Sequence, residues 1–363
     1  MAGLRTRYPE VRFLGIGGPL MEAEGLQSLV PMQELAVMGI AEVLPRLPGL
    51  LARIRQTAAS VLAEAPGALI TIDSPDFCLR VARKVRARNP AQRVVHYVAP
   101  SVWAWRPERA AKMAPIVDQV LCLLPFEPHL MEAEGMRADF VGHPVASEQK
   151  PAAGDIADFR AARGTPLILA LPGSRKGEVE RICPIFGEVF ESVARAYPDA
   201  RVVLPAVAHL AERVAHLTSR WPLKPEILSP DQLGHPERKS LAFAAANVAL
   251  AASGTVSLEL AAADTPMVIA YDMNWLSRRI IASKLRIDTV TLVNLVSESR
   301  DVPEFLGENC KPQAISDSLL SVLRDPDKQR PAMRLTMERL GRGGVAPGLR
   351  AADAVLDGLS EAP

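Results

Sequence analysis

The feature that most narrows the fold is an alternation, kept up along the whole chain, of short apolar runs with amphipathic helical patterns. The runs RFLGIG, ALITID, RVVHYVA, DQVLCLL and ADFVG punctuate the first half, with helical periodicity over 49–64, 77–88 and 106–116 between them. PLILALPG, ARVVLPAV, NVALAAS and TPMVIAY do the same in the second half. Runs that are apolar throughout read as strands buried on both faces, and a helix between successive strands makes them parallel. The pattern therefore predicts an α/β protein with parallel sheets. At 363 residues there is room for two such domains. The stretch EQKPAAGDIAD, 148–158, is small, polar and Pro/Gly-containing, and reads as the linker. The expected division is 1–150 and 151–363.

Composition then removes several function classes. With 42 basic and 41 acidic residues the net charge is +1, without the basic excess of a duplex binder, so no nucleic-acid partner is expected. Cys78, Cys122, Cys183 and Cys310 form no CxxC pair, which argues against a zinc site or a disulfide framework and for a reducing cytoplasm. The N-terminal MAGLRTRYPEV has no apolar core of a signal peptide. Residues 241–258 are uncharged but Ala-rich, contain Asn247, Ser253, Gly254 and Thr255, and fall short of the ~20 apolar residues of a membrane span. They read as a helix end, a buried strand and a loop.

In open α/β sheets ligands bind beyond the carboxyl ends of the strands. In LILALPGSRKGEVE a strand runs into Gly173, Ser174 and Arg175 before a helical pattern. Glycine lets the backbone approach a ligand, the following N–H groups suit an anion, and Arg175 adds a forked cation. The alternative is a plain turn with a solvated Arg; the GxxxxGK[ST] loop is absent. In VALAASGTVSLE a second strand meets Ser253, Gly254 and Thr255, with Glu259 one turn into the next helix. Glu259 is either a ribose acceptor or a first-turn acid favoured by the helix dipole. Two such turns in one domain make a nucleotide diphosphate cradle plausible.

In the first half, LITIDSPDF stops a strand on Asp73. Ser74, Pro75 and Asp76 have a structural role as N-cap, first helical residue and first-turn acid. Asp73 has none, and a partly desolvated carboxylate at a strand end could take a proton from a hydroxyl. HYVAPSVWAWRPER closes another strand on Trp103 and Trp105, which would not share a helical face; they read as core filling or as a loop wall for a sugar or acyl chain. His143, in GHP, is an acid–base candidate or a hydrogen-bonded structural residue.

Seven collinear motifs carry a resemblance. MQELAVMGIAEVL, IDSPDF, HYVAPSVWAWR, LLPFE, VGHPV, LPGSRKGEVE and ASGTVSLE are similar, in this order, to those of the lipid-A-disaccharide synthases. The resemblance implies a GT-B glycosyltransferase, two Rossmann-like domains facing a cleft, the first for the acceptor and the second for the UDP-sugar. It implies transfer from UDP-2,3-diacylglucosamine to 2,3-diacylglucosamine 1-phosphate, giving the β(1→6) disaccharide phosphate and UDP with inversion. It also implies no metal or other cofactor, and a place at the cytoplasmic face of the Gram-negative inner membrane. On this chain Asp73 matches the general base, Arg175 the diphosphate contact, and Ser253, Gly254, Thr255 and Glu259 the nucleotide turn. Asn294 and Glu304 match positions near the donor. Another GT-B UDP-sugar enzyme, such as an epimerase, or an inactive UDP-binding remnant are the competing readings.

The match departs from the family at its start. A first strand and a GEASGD-like turn are expected and do not appear; MAGLRTRYPEV looks like the end of the next helix and RFLGIGG like the second strand. A gap in the first sheet follows, with unpaired backbone at its sides. The expectation is an assigned start downstream of the true one, or a truncated chain, poorly stable as written, with an inactive chain as the competing reading. Two basic amphipathic segments, 44–56 with Leu50, Leu51, Arg46, Arg53 and Arg55, and 274–286, read as membrane-surface contacts or as ordinary surface helices. The region from Lys311 onward could pack across a homodimer.

Overall fold

The computed structural model describes residues 1–35, 40–230, 234–273 and 286–360. They form two compact units, Met1–Pro144 with Gly343–Pro363, and Val145–Arg342.

Every strand pairing is parallel, as the apolar runs require. The first unit holds β1 (Leu14–Gly15) beside β2 (Gln27–Ser28), and a separate sheet of β3 (Leu69–Ile72), β4 (Val94–Tyr97), β5 (Gln119–Cys122) and β6 (Arg137–Phe140) in that order. Among the described residues these are two separate sheets, with β3 at an edge of the larger. The anticipated burial of unpaired backbone does not follow, because the sides are open: Leu14 is 53% and Ile72 41% exposed.

One face of the four-stranded sheet carries Val94, Val120 and Cys122 against Ala82, Ala110, Met113 and Met131 of the intervening helices. The other carries Val95, Leu121 and Val141 against Ala354 and Val355 of the helix Pro347–Ser360. That helix was expected in the second domain. It belongs to the first because its apolar stripe completes this face, and because the fully buried Gln119 donates to the Ala354 carbonyl at 2.8 Å. A Cβ on Gly358 would run into the Gln119 amide. The helix Ala2–Arg7 lies alongside, tied by Arg7 to both oxygens of Asp353 at 2.6 and 2.8 Å.

The amphipathic stretch 44–56 lies within the helix Ile40–Glu64. Ile54 and Ala58, with Leu51, pack on Val81 and Val85, so part of the apolar stripe faces the protein, while Leu47 stays exposed. The other segment, 274–286, falls outside the described residues apart from Arg286.

The second unit has one sheet, β12-β11-β10-β7-β8-β9, built from β7 (Leu167–Leu171), β8 (Arg201–Pro205), β9 (Glu226–Leu228), β10 (Val248–Ala251), β11 (Met267–Tyr271) and β12 (Glu304–Leu306). Renumbered from β7, this is the doubly wound order 3-2-1-4-5-6, and it reverses between β7 and β10. All residues of these two strands are buried. The helix Lys176–Ala196 covers them with Phe186 and Phe190, and Trp221 joins that core with its indole N–H on the Cys183 carbonyl at 3.0 Å. The linker expected at 148–158 overlaps a helix, Ala153–Ala161, anchored by buried Phe159 beneath the Arg163 guanidinium. The chain leaves the first unit earlier, after Pro144.

Candidate functional site

The second unit presents its two small-residue turns side by side. Ala251 pairs with Leu171 in the β7–β10 register, so Gly173-Ser174-Arg175 and Ser253-Gly254-Thr255 leave neighbouring strand ends at the point of reversal. Gly173 has φ +115°, and a Cβ there would sit 2.7 Å from Glu178 Oε2. Gly254 has φ +148° and open space around it. The first turn already holds an anion, supplied by the protein. Glu178 Oε2 accepts from the Ser174 and Arg175 N–H groups, each at 3.2 Å, and Oε1 accepts from the Arg175 guanidinium at 2.7 Å and the Tyr271 hydroxyl at 3.4 Å. The donors expected to meet phosphate are therefore arranged for a carboxylate-sized group.

The remaining expected residues of this unit divide. Glu259 is half-buried and paired with Lys239 at 2.9 Å, a cation that also stacks on Phe243. Asn294 is only 1% exposed; its amide nitrogen donates to the Val302 carbonyl at 2.9 Å and its oxygen accepts the Val302 N–H at 3.1 Å. Glu304 Oε2 accepts from Thr289, from the Val290 N–H, and from both the N–H and hydroxyl of Thr291. These two were expected near the donor as contacts. In this arrangement they brace the 289–302 segment, which includes the helix Leu292–Ser297, because their polar groups bond to it.

In the first unit, strain gathers where ligands are expected. Asp73 and Ser74 have φ of +47° and +42°, Val98 follows β4 at +78°, and Arg106 has +53°. Non-glycine residues seldom take such angles, a β-branched valine least of all, and they persist where surrounding structure imposes them. Asp73 donates its N–H to the Tyr97 carbonyl at 2.9 Å. Its carboxylate is exposed and accepts no hydrogen bond from the described residues. The expectation of a partly desolvated group is not met within this unit; the carboxylate faces outward from a strand edge. The helix start is as read, with Ser74 at the N-cap, Pro75 following and Asp76 in the first turn, although Ser74 caps with no side-chain bond. Trp103 and Trp105 lie in the turn after β4, half-buried, with Arg106 stacked 4.2 Å above Trp105. His143 is half-buried just beyond β6.

Two groups escaped the sequence reading although both lie in quoted motifs. Glu127, of LLPFE, is 4% exposed and accepts from Leu123 N–H at 3.0 Å, Leu124 N–H at 2.9 Å and the Trp103 indole at 3.2 Å. Burial pushes its carboxyl up to about 7, against the pull of those three donors. His96, of HYVAPSVWAWR, is fully buried on β4; Nδ1 lies 2.8 Å from Thr71 Oγ1 and Nε2 has no partner. Burial holds it down to about 4, with the Asp73 charge pulling the other way. Only their burial would have flagged either one, and burial depends on residues distant in sequence.

Their effects on stability have opposite signs. His96 binds its proton less well folded than unfolded, so its contribution is whole above its ordinary 6.5 and is lost as pH falls toward 4. Glu127 binds its proton better folded, so its contribution is whole below the ordinary 4.5 and is lost as pH rises through about 7. Each amounts to on the order of 3 kcal/mol. The melting temperature of the wild type should therefore change little between pH 4.5 and 6.5. His96→Asn should make it fall with rising pH, and Glu127→Gln should make it rise. Thermal scans across that range check this; parallel slopes in all three proteins would refute it.

A family model described as lipid-A-disaccharide synthetase matches residues 1–344. The lipid-A-disaccharide synthase of Ruegeria pomeroyi is 58% identical, over 99% of this chain and 91% of that protein. Among solved structures, the calicheamicin glycosyltransferase CalG4 superposes with a TM-score of 0.60 at 16% identity, over 99% of this chain and 94% of that one. The UDP-GlcNAc 2-epimerase of Neisseria meningitidis, bound to UDP-GlcNAc, does so with 0.58 at 12%, over 96% and 98%. At such identities the structures speak for the fold, which is GT-B, and the sequence match speaks for the family. By that match the chain belongs to the lipid-A-disaccharide synthase family, glycosyltransferases of lipid A biosynthesis.

Proposed function

We propose that the protein transfers the sugar of UDP-2,3-diacylglucosamine to the 6-hydroxyl of 2,3-diacylglucosamine 1-phosphate, releasing UDP. The observation that carries this reading is the pair of turns on adjacent strands at the reversal of the second sheet, one with an anion already seated on its N–H groups. The diphosphate takes those N–H groups and the Arg175 guanidinium in exchange for Glu178, whose carboxylate keeps the Tyr271 hydroxyl as a neighbour. Gly254 and Thr255 border the nucleotide, and Glu259 faces its ribose. Asp73 accepts the proton of the 6-hydroxyl as that oxygen attacks C1 of the donor. The C1–O bond to the diphosphate breaks with its electron pair, and the leaving charge is met by N–H dipoles and Arg175. One displacement on an α-linked donor yields the β(1→6) product with inversion. Trp103, Trp105 and His143 line the acceptor side.

Both substrates carry acyl chains, so the enzyme works as a peripheral protein on the cytoplasmic face of the inner membrane. Among the described residues no helix is long and apolar enough to cross a membrane. The test supplies both lipid sugars, follows UDP release and identifies the product by mass and by the coupling constant of its anomeric proton. A β(1→6) disaccharide phosphate is expected. Conversion of the UDP-sugar without acceptor would point to an epimerase instead, and an α linkage would refute single displacement. Flotation with anionic phospholipid vesicles checks the membrane contact; protein left at the bottom of the gradient would refute it.

A further inference from the structure

We infer that Glu127 is a positioning residue, whose carboxylate fixes the Trp103 loop at the carboxyl ends of β4 and β5 and thereby sets the acceptor wall beside the strand that carries Asp73. The inference deepens the function proposed above and rests on it. Glu127 immediately precedes the helix Pro128–Glu132, five residues after β5 ends. Its two oxygens divide their work. Oε2 gathers the N–H groups of Leu123 and Leu124, which closes the turn leaving β5. Oε1 takes the indole N–H of Trp103, which lies in the turn leaving β4. Phe126 meets the same indole edge-to-face, with centroids 5.4 Å apart and planes at 84°. One side chain thus couples two loops on neighbouring strands.

The Trp103 loop needs an outside hold. It departs from β4 through Val98 and returns through Arg106, both at positive φ, so its path is not the one its own residues prefer. Trp103 is the side chain inside that stretch bonded to the turn after β5.

The choice of a carboxylate is itself informative. A charge that is 4% exposed with only neutral N–H partners is costly, and a purely structural clamp would not need it. Gln could still accept both backbone N–H groups but would present its own NH₂ to the indole N–H. A protonated Glu127 faces the same conflict, since its O–H would confront a donor. The ionisable groups around Glu127 do not relieve it. Cys122 on β5 has its thiol pushed up by burial and by the charges of Glu127, Asp139 on β6 and Glu132 on the following helix. In the Trp103 loop, Arg106 is stacked on Trp105. The Trp103–Glu127 link is therefore whole when the carboxylate is ionised and weakens as pH falls below about 7.

The test uses the full chain with Glu127→Gln and Trp103→Phe. The ¹H–¹⁵N indole signal of Trp103, identified by its loss in Trp103→Phe, should shift with a midpoint near pH 7 in the wild type and stay put in Glu127→Gln. At pH 8 both variants should lose on the order of 10- to 100-fold in kcat/KM, the scale of a displaced binding wall. The wild type should lose activity on the acid side with the midpoint of the indole shift, and neither variant should show that limb. An indole signal that titrates alike in Glu127→Gln and the wild type overturns the inference. So does an active wild type matched by both variants. If Glu127→Gln does not melt cooperatively, Trp103→Phe decides alone, because it keeps the carboxylate and both backbone bonds; wild-type kcat/KM in that variant overturns the inference. A wild type that makes no disaccharide overturns the proposed function, and the indole titration, which needs no substrate, still reads the clamp separately.

Discussion

Replacing Asp73 with Asn should lower turnover by roughly 10²- to 10⁴-fold, the range that a positioned general base contributes, and leave UDP binding unchanged. Asn is the informative substitution here. Asp73 sits at φ +47°, and Asn tolerates that conformation about as well as Asp. The backbone N–H of residue 73 keeps its bond to the Tyr97 carbonyl, and the carboxylate gives up no hydrogen bond from the described residues. Stability should therefore stay within about 0.5 kcal/mol of the wild type. The amide cannot take the proton of the 6-hydroxyl, so the loss should fall on kcat. Isothermal titration with UDP beside a single-turnover assay separates the two effects. A variant within threefold of the wild-type rate would remove Asp73 from the mechanism.

Arg175→Met should lower kcat by on the order of 10²- to 10³-fold, comparable with removing one donor from a site that stabilises developing charge, and should weaken inhibition by UDP. The guanidinium is more than half exposed, and its pairing with Glu178 at 2.7 Å is worth at most about 1 kcal/mol to the fold. Glu178 would keep the two backbone N–H groups that shape the turn. Met fills similar volume without a cation, so the loss reports charge and not shape. Arg175→Lys should fall between, because it restores charge but not the fork. Unchanged kcat and unchanged UDP inhibition in Arg175→Met would place the diphosphate elsewhere.

The parallel sheets could be read because a strand buried on both faces leaves a continuous apolar signature, as LILAL and VALA do. The helix start at Ser74-Pro75-Asp76 and the small-residue turns after β7 and β10 were likewise local, written by backbone chemistry within a few residues. What failed depended on partners far along the chain. Residues 148–158 looked like a linker, yet the helix Ala153–Ala161 is held by Phe159 in the core of its unit. An amphipathic stripe over 347–360 does not say which sheet it will cover, and it covers the first. Asn294 and Glu304 were matched by resemblance to positions near the donor, and their bonds to Val302 and Thr291 could not be read from the sequence. Glu127 and His96 owe their unusual proton affinities to burial that no window of sequence displays.

The return of the final helix to the first sheet has a bearing on how the polypeptide matures on the ribosome. Synthesis is vectorial, and domains ordinarily fold in the order in which they emerge. Here residues 145–342 are contiguous and can collapse as soon as they clear the exit tunnel, whereas the earlier lobe must wait for 347–360. Until then Val95, Leu121 and Val141 lack their cover, and the Gln119 amide lacks its carbonyl. The first lobe to be made is the last to be finished, which leaves a sticky nascent surface for chaperones to shield through most of translation.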